Sequence, residues 1–148
     1  MSSQLDLYQQ VILEHNRRPK NFCRLENPDY SSEGYNPLCG DHLWVDLDVD
    51  DAGIVTRCAF DGTGCAICKA SASIMTCELT GKTVAEVREI FENFQLLLKG
   101  ETNHGNLSKK LLVFSSVSRY PSRVKCAGLA WHTVKGALEK SKEPAKTE

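Results

Sequence analysis

Three of the seven cysteines lie beside predicted boundaries between a loop and a regular element. Cys39 precedes the first strong strand pattern, Cys65 follows a strand and begins a helix, and Cys126 precedes the last helix. Functional side chains concentrate on such loops. At a helix N-terminus the unpaired N–H groups and the helix dipole favour a thiolate over a thiol, which we expect for Cys65 and Cys126. Because a thiolate is both a nucleophile and a metal ligand, these positions predict metal binding or sulfur chemistry.

Asp41 supplies a fourth donor, two residues after Cys39. A tetrahedral zinc site needs four nitrogen, sulfur or oxygen donors, and three thiolates with this carboxylate meet that number. Gly40 allows the backbone to turn tightly enough for both of its neighbours to reach one ion. The carboxylate is the harder and more easily displaced ligand, and Arg123 and Lys125 offset part of the surplus negative charge. We therefore predict a zinc site that can open. On spacing alone, three buried cysteines and a surface aspartate remain the alternative.

Cys68 forms a C-x-x-C pair with Cys65 at the predicted start of a helix. Such a pair can be a redox-active dithiol. A thioredoxin-like protein would place it in a βαβ unit, whereas an antiparallel hairpin precedes it here. The sequence therefore favours a Cys68 side chain packed in the core. The other cysteines are predicted to be small apolar fillers or partly exposed thiols (Cys23, Cys58 and Cys77).

The elements that position these side chains begin with strands. Apolar residues alternate along 42–50, and a turn at 51–53 joins this strand to a second one at 54–61. A short edge strand is expected near 30–35. Helical patterns account for most of the remaining chain, over residues 4–16, 66–79, 83–99, 107–117 and 127–141. This order predicts an α+β fold, in which a small antiparallel sheet of about three strands is covered by helices.

The chain length of 148 residues fits one domain, which we place at 1–142, followed by a charged tail at 143–148 that we expect to be disordered. The formal charge of −1 offers no electrostatic footprint for nucleic acid or for a membrane surface. No segment resembles a signal peptide or a transmembrane helix, and the odd number of cysteines argues against a secreted disulfide framework. We therefore expect a soluble protein of the cytoplasm.

Three segments resemble the U-type iron–sulfur cluster assembly family, that is, the NifU N-terminal or IscU-like proteins. They are 36–41 (NPLCGD), 62–73 (GTGCAICKASAS) and 123–131 (RVKCAGLAW). The similarity extends from the first helix to the last. It implies the fold of that family, a role in iron–sulfur cluster assembly, and downstream cluster-assembly proteins as partners.

Two features resemble the SufU branch of the family. Lys125 stands where the scaffold branch has a histidine, and the connection between the second and third cysteines is longer by about one helix. SufU-like proteins bind zinc and accept sulfur from a SufS-type cysteine desulfurase. The resemblance therefore implies that Cys39 is the sulfur acceptor, that Arg123 and Lys125 are supporting charges, and that zinc has four ligands (Cys39, Asp41, Cys65 and Cys126). Position 68 departs from the branch, which usually has serine there.

These observations lead to three hypotheses. The first is a zinc-binding sulfur acceptor, which resembles a sulfurtransferase but works as the relay partner of a desulfurase rather than as a stand-alone enzyme. The second is a scaffold on which a [2Fe–2S] cluster is assembled by the same four ligands and then transferred. The third is a zinc-stabilised interaction module without sulfur chemistry.

Overall fold

The computed structural model describes residues 3–139 and 145–146, with five α-helices and four strands in these two ranges. In chain order these are α1 (Ser3–Arg17), β1 (Tyr30–Asn36), β2 (Asp41–Val49), β3 (Val55–Thr63), α2 (Ala66–Leu79), α3 (Val84–Leu98), α4 (Lys109–Leu112), α5 (Pro121–Leu138) and β4 (Ala145–Lys146). A 3₁₀ helix, Val113–Arg119, continues directly from α4.

The sheet has the strand order β3-β2-β1-β4. β2 pairs antiparallel with β1 on one side and with β3 on the other, which confirms the predicted antiparallel sheet covered by helices. Apolar residues alternate along β2 because one face of the strand is buried against the helices. Leu43, Val45 and Leu47 on this face are at most 1% exposed. The short β4 pairs parallel with β1 and was not predicted. The rest of the tail predicted to be disordered lies outside the described residues.

α2 and α5 are joined by a buried polar contact. Trp131 on α5 donates its Nε1–H to Ser71 Oγ at 3.1 Å, and this hydroxyl donates to the Ala127 carbonyl at 2.6 Å. All three residues are at most 1% exposed, so the indole and the hydroxyl satisfy each other in the core. Since Cys65 immediately precedes α2 and Cys126 lies on α5, this contact fixes the relative position of the two helices beside which these candidate ligands lie.

Two predicted helices differ from the observed ones. The helix predicted at 127–141 begins six residues earlier, at Pro121. Proline is favoured at the first position of a helix because its missing N–H has no partner there, so Pro121 starts α5 rather than interrupting the chain. The helix predicted at 107–117 is a four-residue α4 followed by the 3₁₀ helix. No helix in the described ranges is both long enough and apolar enough to cross a bilayer.

Candidate metal centre

The turn between β1 and β2 carries the first two candidate ligands. Gly40 donates its backbone N–H to the Asn36 carbonyl at 2.9 Å and has a φ of +73°, a left-handed conformation that glycine adopts without strain. The turn leaves Cys39 exposed at its tip. Asp41, the first residue of β2, is fully buried. One short loop therefore presents an accessible sulfur and a buried carboxylate side by side.

Cys126 completes a group of three donors. One ligand atom from each of Cys39, Asp41 and Cys126 lies within 4.8 Å of the others. The Sγ atoms of Cys126 and Cys39 are 3.4 Å apart. Two sulfurs bound to one tetrahedral zinc ion at about 2.3 Å each would be about 3.8 Å apart, so this spacing fits a metal with little movement. Two thiols and a carboxylate are also suitable donors for zinc.

Cys65 lies beside this group, but its sulfur is not within 4.8 Å of all three of the other ligand atoms. It is the N-cap of α2, where its Sγ accepts from the Cys68 N–H at 3.4 Å, and its own N–H donates to Asp41 Oδ1 at 2.9 Å. A hydrogen-bonding interaction with the Cys126 thiol lowers the pKa of Cys65 to about 7, against the opposing effect of partial burial. Its sulfur is thus predisposed to ionise and would have to move closer to the other three donors to become a fourth ligand.

The prediction that Cys126 lies at a helix N-terminus, where its thiolate would be favoured, is wrong. Cys126 lies in the second turn of α5, not at its N-terminus, so the free N–H groups of the helix start are not beside its sulfur. Its interaction with Cys65 and its burial raise the pKa of the Cys126 thiol. Without a bound cation, Cys126 is therefore the proton donor of the pair and Cys65 the acceptor.

The two predicted supporting cations lie on the first turns of α5. The Arg123 guanidinium stacks over the Tyr120 ring at 4.5 Å from its centroid. Both Arg123 and Cys65 act electrostatically on Tyr8 of α1, whose pKa is raised mainly by burial. Within the described part of the chain, the Lys125 side chain has no ion pair or hydrogen bond. Tyr8 therefore lies within electrostatic range of both Arg123 and Cys65, which its helical pattern did not reveal.

Asn36 is a further residue of the centre to which the sequence assigned no role. Its buried Nδ2 lies 3.2 Å from Asp41 Oδ2 and 3.6 Å from Cys126 Sγ, and its Oδ1 accepts from the Leu38 N–H at 3.3 Å. One amide thus orients two candidate ligands and the loop between them. The only signal in the sequence is its place at the start of the NPLCGD segment.

Replacing Asn36 with leucine should weaken the binding of a metal ion such as zinc at this centre about 10- to 100-fold, the usual effect of losing an outer-shell partner. The leucine keeps the volume but removes the donor that orients Asp41 and Cys126. Competition with a chromophoric zinc chelator measures the change. Thr76→Val is the matched control, because Thr76 is a buried polar residue of α2 bonded to Asn21. Equal affinities for both variants would contradict the role of Asn36.

Comparison with known proteins places these residues in context. Residues 7–127 match the family model described as the NifU-like N terminal domain. The "Iron-sulfur cluster assembly scaffold protein IscU" of Thermotoga maritima is 36% identical over 138 residues, covering 93% of this chain and 96% of that protein. The "Zinc-dependent sulfurtransferase SufU" of Bacillus subtilis is 32% identical over 135 residues, covering 90% of each.

Solved structures agree with the sequence matches. A putative iron–sulfur cluster assembly scaffold protein for the SUF system from Fervidobacterium islandicum superposes with a TM-score of 0.83 at 31% identity, covering 93% of this chain and 99% of that one. An N-terminal NifU-like protein from Brucella abortus gives a TM-score of 0.79 at 26% identity, covering 95% and 100%.

Proposed function

Because the chain belongs to the family of NifU-like N-terminal domains, we propose that it is an iron–sulfur cluster assembly protein that binds zinc and accepts sulfur from a cysteine desulfurase. The family resemblance found in the sequence is confirmed. The proposed ligands are the four side chains predicted from it (Cys39, Asp41, Cys65 and Cys126). The proposed partners are a SufS-type desulfurase and downstream assembly proteins, in the cytoplasm.

One observation carries this proposal: the donor group combines one exposed sulfur with buried partners. Cys39 is exposed, whereas Asp41 is fully buried and Cys126 is 3% exposed. A site that only stabilised the fold would have no need for an accessible thiolate. A sulfur acceptor must bring its thiolate against the persulfide of another protein, and a side chain at the tip of a turn is suited to this.

The sulfur transfer is a thiol exchange. The Cys39 thiolate attacks the outer sulfur of the desulfurase persulfide, the bond between the two persulfide sulfurs breaks, and the desulfurase cysteine leaves as a thiolate. Cys39 now carries the persulfide, and no net oxidation has occurred. Bound zinc would keep the thiols of the centre ionised at neutral pH. Asn36 and the Cys65 N–H hold the Asp41 carboxylate in place throughout.

The scaffold hypothesis has a specific basis, since a relative of 36% identity is named as a scaffold protein. The same donors would then hold a [2Fe–2S] cluster as cargo. Lys125 favours the acceptor, because the scaffold branch has a histidine at this position. The third hypothesis, an interaction module, requires zinc but no sulfur chemistry.

Metal analysis combined with a desulfurase assay tests the proposal. We expect protein purified without air to contain about one zinc ion per chain and no acid-labile sulfide. Adding it should raise the rate of alanine formation by a SufS-type desulfurase. Iron with acid-labile sulfide would favour the scaffold instead. Zinc without any stimulation would favour the interaction module.

A further inference from the structure

Cys65 and Cys68 differ in accessibility although they share the first turn of α2. Cys65 is exposed at the N-cap, and Cys68 is fully buried in the hydrophobic core. The Cys65 sulfur is directed back over the helix start, where it accepts from the Cys68 N–H at 3.4 Å. Helix geometry places Cα atoms three residues apart at about 5 Å, within the roughly 4.4–6.8 Å that a disulfide requires.

The Cys68 sulfur is buried but lies against Gly64, in the short loop that precedes α2. A Cβ atom at Gly64 would lie 3.0 Å from Cys68 Sγ and 3.2 Å from Asp41 Oδ1. Because glycine has no such atom, no side chain from position 64 separates the buried thiol from the loop that carries Cys65. The second thiol therefore adjoins the segment that presents the first.

The other two thiols of the centre contact each other, since the Cys39 and Cys126 sulfurs lie 3.4 Å apart. Cys126 also accepts from Asn36 and interacts with the Cys65 thiol, so a Cys65–Cys126 linkage is the competing product. Cys68 belongs neither to the three-donor group nor to the four proposed ligands, so it stays a free thiol when the others hold a metal. Cys65 is the proposed ligand that lies outside the three-donor group and beside this free thiol.

We propose that Cys65 and Cys68 form a redox-active dithiol that small disulfides, such as glutathione disulfide, convert to a Cys65–Cys68 disulfide. The Cys65 thiolate attacks one sulfur of glutathione disulfide, forms a mixed disulfide and releases one glutathione thiolate. The Cys68 thiol then loses its proton and attacks the Cys65 sulfur, which expels the second glutathione thiolate. The protein loses two electrons and two protons, and one glutathione disulfide becomes two molecules of glutathione.

This oxidation has a consequence for the metal centre. A disulfide sulfur is not a thiolate ligand, so the modification removes Cys65 from the donor set while leaving Cys39, Asp41 and Cys126 in place. The reaction itself is independent of the proposed sulfur transfer. Loss of desulfurase stimulation would not affect it, and failure to form the disulfide would leave the sulfur acceptor intact.

Peptide mapping after oxidation tests the proposal. The purified full-length protein, with the metal it retains, is incubated with glutathione disulfide, alkylated and digested with trypsin. We expect peptide 58–69 to lose two hydrogens through a 65–68 linkage, with no lasting glutathione adduct on Cys65. In Cys68→Ala the resolving thiol is missing, so the adduct on Cys65 should persist. Cys77→Ala removes an exposed thiol of the same helix and should behave as wild type.

Circular dichroism checks that the Cys68→Ala variant folds. If it does not, detection of the 65–68 disulfide in the wild-type protein still tests the proposal. A Cys65–Cys126 linkage, a lasting adduct on wild-type Cys65, or a Cys65 that does not react would each overturn the proposal. Recovery of both free thiols with dithiothreitol would support it, because a dithiol switch must be reversible.

Discussion

Replacing Cys39 with alanine should abolish the stimulation of cysteine desulfurase turnover by this protein. The variant lacks the sulfur that would attack the persulfide, and neither partner in the donor group can replace it. Asp41 has no sulfur, and Cys126 is 3% exposed on α5. Alanine formation by a SufS-type desulfurase, measured with and without the variant, gives the change. Mass spectrometry should also find a persulfide on Cys39 in the wild-type protein and none in the variant.

Two control variants separate the loss of the acceptor from other effects. Cys77→Ala removes an exposed thiol of α2 and should stimulate the desulfurase as wild type does. Cys126→Ala removes a buried proposed ligand but leaves Cys39, so it should lose zinc while Cys39 can still acquire sulfur. Undiminished stimulation by Cys39→Ala would exclude Cys39 as the sulfur acceptor. Cys65, the other exposed thiol of the centre, would then be the candidate acceptor.

The local parts of the site could be predicted where a short segment determines its own structure. Cys65 is the N-cap of α2 as predicted, because a glycine-rich bend followed by a helical pattern leaves one place for the helix to begin. The capping box at the start of α3 is equally local, with Thr83 and Glu86 each bonded to the backbone of the other. These interactions involve residues three apart, so the sequence contains all the information they need.

Features that depend on distant segments could not be predicted in this way. The contact of Asn36 with Cys126 spans 90 residues and exists because β1 packs against α5. The start of α5 differs from the predicted one because a proline can either end a preceding helix or begin a new one, and tertiary packing decides between these at Pro121. Of the four ligands predicted from the resemblance, the structure groups Cys39, Asp41 and Cys126, while Cys65 lies beside them.

Replacing Gly62 with alanine should destabilise the fold strongly, by about 2–6 kcal/mol from backbone strain and overpacking together. Gly62 has a φ of +128°, and an added Cβ would lie 2.1 Å from the His42 carbonyl oxygen and 2.9 Å from Leu43 Cα. Both contacts are with backbone atoms of β2, so relief requires β3 to separate from β2. This separation would occur next to Asp41, so we also expect weaker zinc binding. Urea unfolding and a chelator competition measure the two effects.

Gly53→Ala is the matched control for backbone strain. Gly53 also has a positive φ, +80°, but an added Cβ would meet no atom within 4 Å. Only the strain of the left-handed conformation then remains, about 1–2 kcal/mol, and zinc affinity should not change because the turn is remote from the ligands. The difference between the two variants isolates the close approach of β3 to β2. If both lost the same stability, that contact would be unimportant, and the position of Asp41 would have to depend on Asn36 and the Cys65 N–H instead.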